Sequence, residues 1–140
     1  TLADAVTKAM CTNTIIKMQK GIYTLTNYQI IPSYITIEGG YDLLFTTKSS
    51  NMTGGANTTT IRRTNAPDAA SPNTCTAFKV DDGAIQFRIQ DIRIEMPGSP
   101  SVTGHAAGSN IVNYGIKLGT ACSSYNIIRC YINAGTGANP

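Results

Sequence analysis

The stretch CTAFKVDDGAIQFRIQDIRIE, Cys75 to Glu95, contains three short apolar alternations in a row, without the Asn-Gly or Asp-Gly pairs that close tight hairpins. Further along, NYGIKLGTACSSYNIIRCYINAG, Asn113 to Gly135, repeats the arrangement. Shifting the first stretch by 38 residues superposes the apolar positions: Phe78 on Ile116, Val80 on Leu118, Phe87 on Tyr125, Ile89 on Ile127 and Ile94 on Ile132. Lys79 meets Lys117 at the same offset, and Ile92 meets Cys130. A repeat of this length is the mark of a stacked architecture, in which one unit cannot bury its apolar face alone. Short strands bent at corners such as Gln90-Asp91, rather than hairpins, predict an all-β parallel β-helix, and the bias of parallel crossovers makes it right-handed. Each coil then lies on the next at about 4.8 Å, and residues at equal offset stack in the interior.

The rest of the chain fits that reading. Leu2, Ala5, Val6, Ala9 and Met10 form one apolar stripe at helical spacing. Asp4 in the first turn suits the helix dipole. A capping helix over residues 1–11 is therefore expected, laid across the open end of the first coil to cover apolar interior and strand edges. Coils follow over residues 14–140. Ile16 and Met18 alternate with Lys17 and Gln19, Tyr23 and Leu25 resume the alternation after Gly21, and Ile35 and Ile37 share a face. Gly39-Gly40 marks a turn or a close backbone approach. TTIRR reads as a short strand, and TNAPDAASPNT as a loop. Residues 46–59 and 97–113 are rich in small and polar residues and read as excursion loops. No closing cap follows the last strand pattern, so the chain is expected to be the N-terminal portion of a single longer β-helix domain.

Composition narrows the function classes. Among 140 residues, 14% are charged, against about 25% in an average globular protein. Gly, Thr, Asn and Ser abound, as on extracellular surfaces. The net charge is +3, but the basic residues form no stripe interleaved with aromatics, so no nucleic-acid partner is expected. No run of about 18 apolar residues predicts membrane insertion. The four cysteines, Cys11, Cys75, Cys122 and Cys130, show no CxxC spacing, which disfavours zinc ribbons and thioredoxin-like chemistry. They permit disulfides in an oxidising compartment; Cys122 and Cys130, on either side of one corner, are the candidate pair.

The segments LADAVTKA, TIIKMQKGIYTL, IIPSYITIEGGYD, TTIRR and AFKVDDGAIQFRIQDIRIE together resemble the start of a secreted β-helix of the pectin-lyase-like class. More narrowly, they are similar to the opening of β-helix domains in large bacterial surface proteins, including gliding-motility adhesins and other type IX secretion cargo. That resemblance implies a secreted or cell-surface location. It implies as partners the remainder of a longer chain, surface polysaccharide, or other surface and secretion proteins. Pectin-active members hold Ca²⁺ with acidic residues on a coil face beside an Arg or Lys, which makes Asp81 and Asp82 the candidate metal ligands, with Lys79, Lys117 and Arg88 nearby. Against this, the offset partners of the two aspartates are Gly119 and Thr120, and VDDGA is also good corner chemistry. Glycoside hydrolysis needs facing carboxyl groups, and Asp91 and Glu95 lie on successive arms of one coil. His105, the only histidine, falls in an excursion loop. Tyr23, Tyr28, Tyr34 and Tyr41 read as half-buried strand residues or as a sugar-binding face. No catalytic residue and no cofactor, Ca²⁺ apart, is expected. The reading is a non-catalytic structural or adhesive segment; the alternative is the N-terminal coils of a polysaccharide lyase or glycoside hydrolase.

Overall fold

A computed structural model of the chain describes residues 1–9, 13–50, 52–54, 57–98 and 110–136. Helix α1 (Leu2–Lys8) is followed by β1 (Thr14–Gln19), β2 (Gly21–Leu25), β3 (Gln29–Ile31), β4 (Ile35–Tyr41), β5 (Thr59–Arg63), β6 (Thr74–Val80), β7 (Arg88–Gln90), β8 (Arg93–Glu95), β9 (Val112–Lys117), β10 (Asn126–Ile128) and β11 (Tyr131–Asn133). The protein is all-β apart from this helix, and its strands form three parallel sheets. Sheet A has the order β1-β4-β7-β10, sheet B β2-β5-β8-β11 and sheet C β3-β6-β9. The chain visits A, B and C in turn, and each strand pairs with the one three places earlier. This order is consistent with a β-helix-like fold.

Register places like on like. Ile16, Ile37, Ile89 and Ile127 are successive partners in sheet A, and Tyr23, Ile61, Ile94 and Ile132 in sheet B. Phe78 pairs with Ile116 and Lys79 with Lys117 in sheet C, both at the 38-residue offset. Phe87 and Tyr125 stack with ring centroids 4.9 Å apart. Within the stack the interior is closed: Val80, Ile89 and Ile94 are fully buried and Phe87 is 1% exposed. At the outer rung the matching positions open, with Leu118, Tyr125, Ile127 and Ile132 37–43% exposed.

The corners repeat as strictly as the strands. Gly83 and Ala121, Gln86 and Ser124, and Asp91 and Arg129 are pairs at the same offset, and all six have positive φ. A left-handed residue turns the chain sharply where a hairpin would reverse it. Stacked corners then bond as the strands do: Gln86 N–H donates to Ser123 O, and Asp91 N–H to Ile128 O.

At the other end, Leu2, Val6 and Ala9 join the core cluster. Helix α1 begins with a capping box, in which the Asp4 N–H donates to the Thr1 hydroxyl while the Asp4 carboxylate accepts from Thr1. It is shorter than the 1–11 expected, because Ala9 already has non-helical backbone; residues 10–12 lie outside the described residues. The excursion loop over 46–59 also ends sooner than expected. Thr58 and Thr59 are fully buried, and the Thr59 hydroxyl bridges Gly40 N–H and Gln19 O. Most of the loop over 97–113, His105 included, lies outside the described residues.

Gly39 is a close approach within β4, not a turn. A Cβ there would meet the Asp91 carbonyl and lie 2.8 Å from Thr59 Cβ. Ile89→Ala should cost about 2–5 kcal/mol, the range for a buried large-to-small change. Ile127→Ala should cost clearly less, since its site is already open to water. Gly39→Ala should destabilise by about 1–3 kcal/mol through overpacking. Urea unfolding of the three variants measures the order; equal losses at Ile89 and Ile127 would contradict the stacking.

Candidate functional site

The candidate metal ligands sit at the corner after β6. Asp82 Oδ1 accepts hydrogen bonds from Thr120 N–H (2.7 Å) and from the Thr120 hydroxyl (3.0 Å). Those bonds hold its carboxyl below the ordinary aspartate range. Gly119 lies so close that a Cβ there would stand 2.7 Å from Asp82 Oδ1. The positions opposite the two aspartates thus supply a donor and a space, and Asp82 clasps one corner to the next. Asp81 accepts through its backbone carbonyl, from Ala84 N–H and the Cys122 thiol. Among the described residues, no group of three His, Cys, Asp or Glu side chains is placed to hold a metal ion.

Cys75, Cys122 and Cys130 are free thiols; Cys11 lies outside the described residues. Cys130 directs its sulfur to the carbonyls of Ile89 and Ile128, a different surrounding from that of Cys122. Burial raises the thiol pKa of both Cys75 and Cys130 above the ordinary value, which makes them poor nucleophiles. Of the early tyrosines, Tyr41 is buried and Tyr23, Tyr28 and Tyr34 are half-buried.

The densest charged arrangement joins residues that the sequence leaves far apart. Glu38 stands on β4 and Asp91 at the corner between β7 and β8. Lys48 comes from the loop after β4, held by an antiparallel bridge to Tyr41, and Arg129 from the corner stacked on Asp91. Arg129 grips Asp91 with two hydrogen bonds, of 2.6 and 2.8 Å. Lys48 bridges Asp91 and Glu38. Glu38 also accepts from the Tyr41 hydroxyl (2.6 Å) and from Gln90. Lys17 and Lys48 lie over the Tyr41 ring, 5.1 and 5.6 Å from its centroid.

Burial opposes the ionisation of both carboxylates. Hydrogen bonds from Lys48 and Tyr41 to Glu38, and from Arg129 and Lys48 to Asp91, outweigh it, so both pKa values fall below the ordinary range. The Tyr41 hydroxyl is pushed up to about 12 by burial and by its hydrogen bond to Glu38. General acid catalysis requires one carboxyl raised and kept protonated. Here both are lowered together, and the arrangement fastens a loop and two stacked corners. Asp91 and Glu95 belong to separate groups, since Glu95 pairs with Arg62 and Arg93. The 38-residue alignment contained a signal for Asp91 and Arg129, opposite charges at matching corners. Nothing in the sequence marked Lys48.

A third ion-paired group, Arg63 with Asp68, shapes the loop between β5 and β6. Arg63, 2% exposed, donates to Thr76 O, Ala66 O, the Thr64 hydroxyl and Asp68. Asp68 in turn accepts from Thr76 N–H and the Thr74 hydroxyl.

Comparison of the chain with family models, curated proteins and solved structures gives no match.

Because the folded pKa values of Glu38 and Asp91 are depressed, their contribution to stability is complete above the unfolded carboxylate value of about 4. It is lost as pH falls through the lower folded values. Urea midpoints should therefore drop on acidification, and less steeply in Asp91→Asn. At pH 7 that variant should lose about 1.5–3 kcal/mol, the scale of charge-assisted hydrogen bonds, since the Arg129 it releases is half-exposed and Lys48 keeps Glu38. A midpoint equal to the wild type at neutral pH would show that the cluster fastens nothing.

Proposed function

We propose that the chain is a non-catalytic structural segment of a larger secreted, cell-surface protein. In this reading it forms the N-terminal coils of a right-handed parallel β-helix of the pectin-lyase-like type. The observation that carries the proposal is the contrast between the two ends of the stack. One end is covered by helix α1, whose Leu2 and Val6 enter the core. At the other, β9, β10 and β11 are the outermost strands of their sheets, and Leu118, Tyr125, Ile127 and Ile132 present apolar side chains. A further coil of the same chain fits that end, because it supplies parallel strand edges and interior residues together.

The charged groups favour a structural role over the enzymatic alternative, the opening coils of a polysaccharide lyase or hydrolase. Glu38, Asp91 and Glu95 are ion-paired with Lys48, Arg129, Arg62 and Arg93, and Asp82 is engaged at a corner. The segment's work is then to hold loops on a stiff rod, as adhesins and type IX secretion cargo do. Calcium at Asp81 and Asp82 would be a local addition to that role.

An antibody raised against this segment tests the reading. It should label intact, unpermeabilised cells and detect a native protein far heavier than 14.9 kDa. A native protein near that mass, or labelling only after permeabilisation, would overturn it. Release of unsaturated or reducing sugars by the purified native protein would favour the enzymatic alternative.

A further inference from the structure

The loop after β4 presents an apolar tip to solvent. Leu43 and Leu44 are 78% and 77% exposed and Phe45 is 42% exposed, three large apolar residues in succession. Single surface leucines are ordinary, whereas an exposed apolar run calls for a functional reason. The turn is fixed from within. Phe45 N–H donates to Asp42 O (3.2 Å), and Asp42 N–H to Thr47 O (3.0 Å). The Asp42 carboxylate accepts from the N–H and hydroxyl groups of both Thr46 and Thr47, so its charge is directed into the turn. Gln19 donates to Leu43 O (2.9 Å), and Lys48 ties the far end of the loop to Glu38 and Asp91. Holding two leucines outward this firmly lowers the ordering cost of binding.

Exposure falls stepwise below the tip. Phe45 packs on Tyr41, ring centroids 5.9 Å apart, and Tyr41 is buried. Lys17, exposed on β1, sets its ammonium 5.1 Å from the centroid of the same Tyr41 ring. Unlike Lys48, it takes part in none of the ion pairs found among the described residues. Beside it, a hollow of about 300 Å³ is lined by Phe45, Lys17 and Met18 and, from helix α1, by Leu2 and Ala5. That is room for part of a lipid chain, since a water molecule takes roughly 30 Å³. Aliphatic tip, aromatic layer and free cation follow the order of a membrane interface: acyl chains, the belt favoured by aromatic rings, and phosphate headgroups. A groove in a partner protein would take the leucines but would leave the cation behind them without a counterpart.

We propose that this loop docks the protein onto a lipid bilayer with anionic headgroups. Leu43 and Leu44 enter the boundary between headgroups and acyl chains, Phe45 lies at the interface and Lys17 meets a lipid phosphate. The contact is peripheral. Two leucines and one cation give weak, reversible attachment, as a single acyl chain does. The inference stands on the loop and β1 alone and is independent of the structural role proposed above.

The chain contains no tryptophan, so Leu44→Trp places a single fluorescent reporter at the tip and keeps it apolar. Its emission is followed on titration with vesicles of mixed phosphatidylcholine and phosphatidylglycerol, and of phosphatidylcholine alone. A saturable blue shift is expected, with binding about fivefold tighter on the anionic vesicles, the scale of one lysine near such a surface. Adding Lys17→Gln should remove most of that preference, whereas Lys117→Gln, on sheet C, should keep it. Adding Leu43→Asp should weaken binding about tenfold or more, the scale of one buried leucine. Its thermal midpoint should not change, because the side chain is exposed. Ile132→Trp, a reporter at the open end of the stack, should not shift. A shift there equal to or larger than that of Leu44→Trp would assign lipid binding to the open end and overturn the proposal. Absence of a shift at Leu44→Trp with either vesicle, or undiminished binding in the Leu43→Asp variant, would also overturn it. So would a concentration-dependent blue shift without lipid, which would make the occupant a second copy of the chain.

Discussion

Parallel pairing of three sheets at once is the constraint on which the rest of this structure depends. Each strand is hydrogen-bonded to the strand three places before it, so a shift of one residue in any sheet would turn every apolar side chain of that rung outward. The shared 38-residue offset in sheets A, B and C keeps the last rungs aligned. The interior ladders of isoleucine follow from that register. So do the corners, whose left-handed residues recur at the same interval although none but Gly83 is a glycine. Left-handed backbone is unfavourable for ordinary residues, and here it is maintained because the neighbouring corner bonds directly onto it.

The polar groups fasten what the stack leaves loose. Asp91 lies at a corner, receives Arg129 from the next one and reaches Lys48 in a loop. Asp82 does the same with Thr120, and Arg63 with the loop before β6. The Asp91 and Asp82 contacts join elements distant in sequence and adjacent along the stack, while Arg63 pins the loop that follows it. They also explain the lowered carboxylate pKa values without invoking catalysis, since every lowered group has a cation, a terminal amine or a hydroxyl beside it.

Exposure is uneven along the same axis. The first rung is covered by a short helix, and the last presents apolar side chains and, among the described residues, the outermost strands of all three sheets. On the flank, Lys79 and Lys117 lie over the rings of Tyr28 and Tyr114. A stack that repeats its interior strictly is free to vary its outer face, because outward residues contribute little to register. Lys79 and Lys117 recur on that face without any packing requirement.

Period and alternation were legible in the sequence because they are local. The pairing of Phe78 with Ile116, Ile89 with Ile127 and Ile94 with Ile132 was readable from one shift of the chain, as was the helix at the front. The structural meaning of Gly39 was half legible: a close approach was readable, but the Asp91 carbonyl that enforces it was not. The site was far less so. Asp81 and Asp82 stood out as a doublet, whereas the carboxylates that share a cation are Glu38 and Asp91, a circuit of chain apart. By itself, the sequence determined the repeat, the inward-facing residues and the parallel order, all set by the period of side-chain direction along the backbone. Only the tertiary structure decided which charges meet and where Lys48 lands. Those outcomes depend on how excursion loops fold back across neighbouring rungs, and no residue spacing encodes that path.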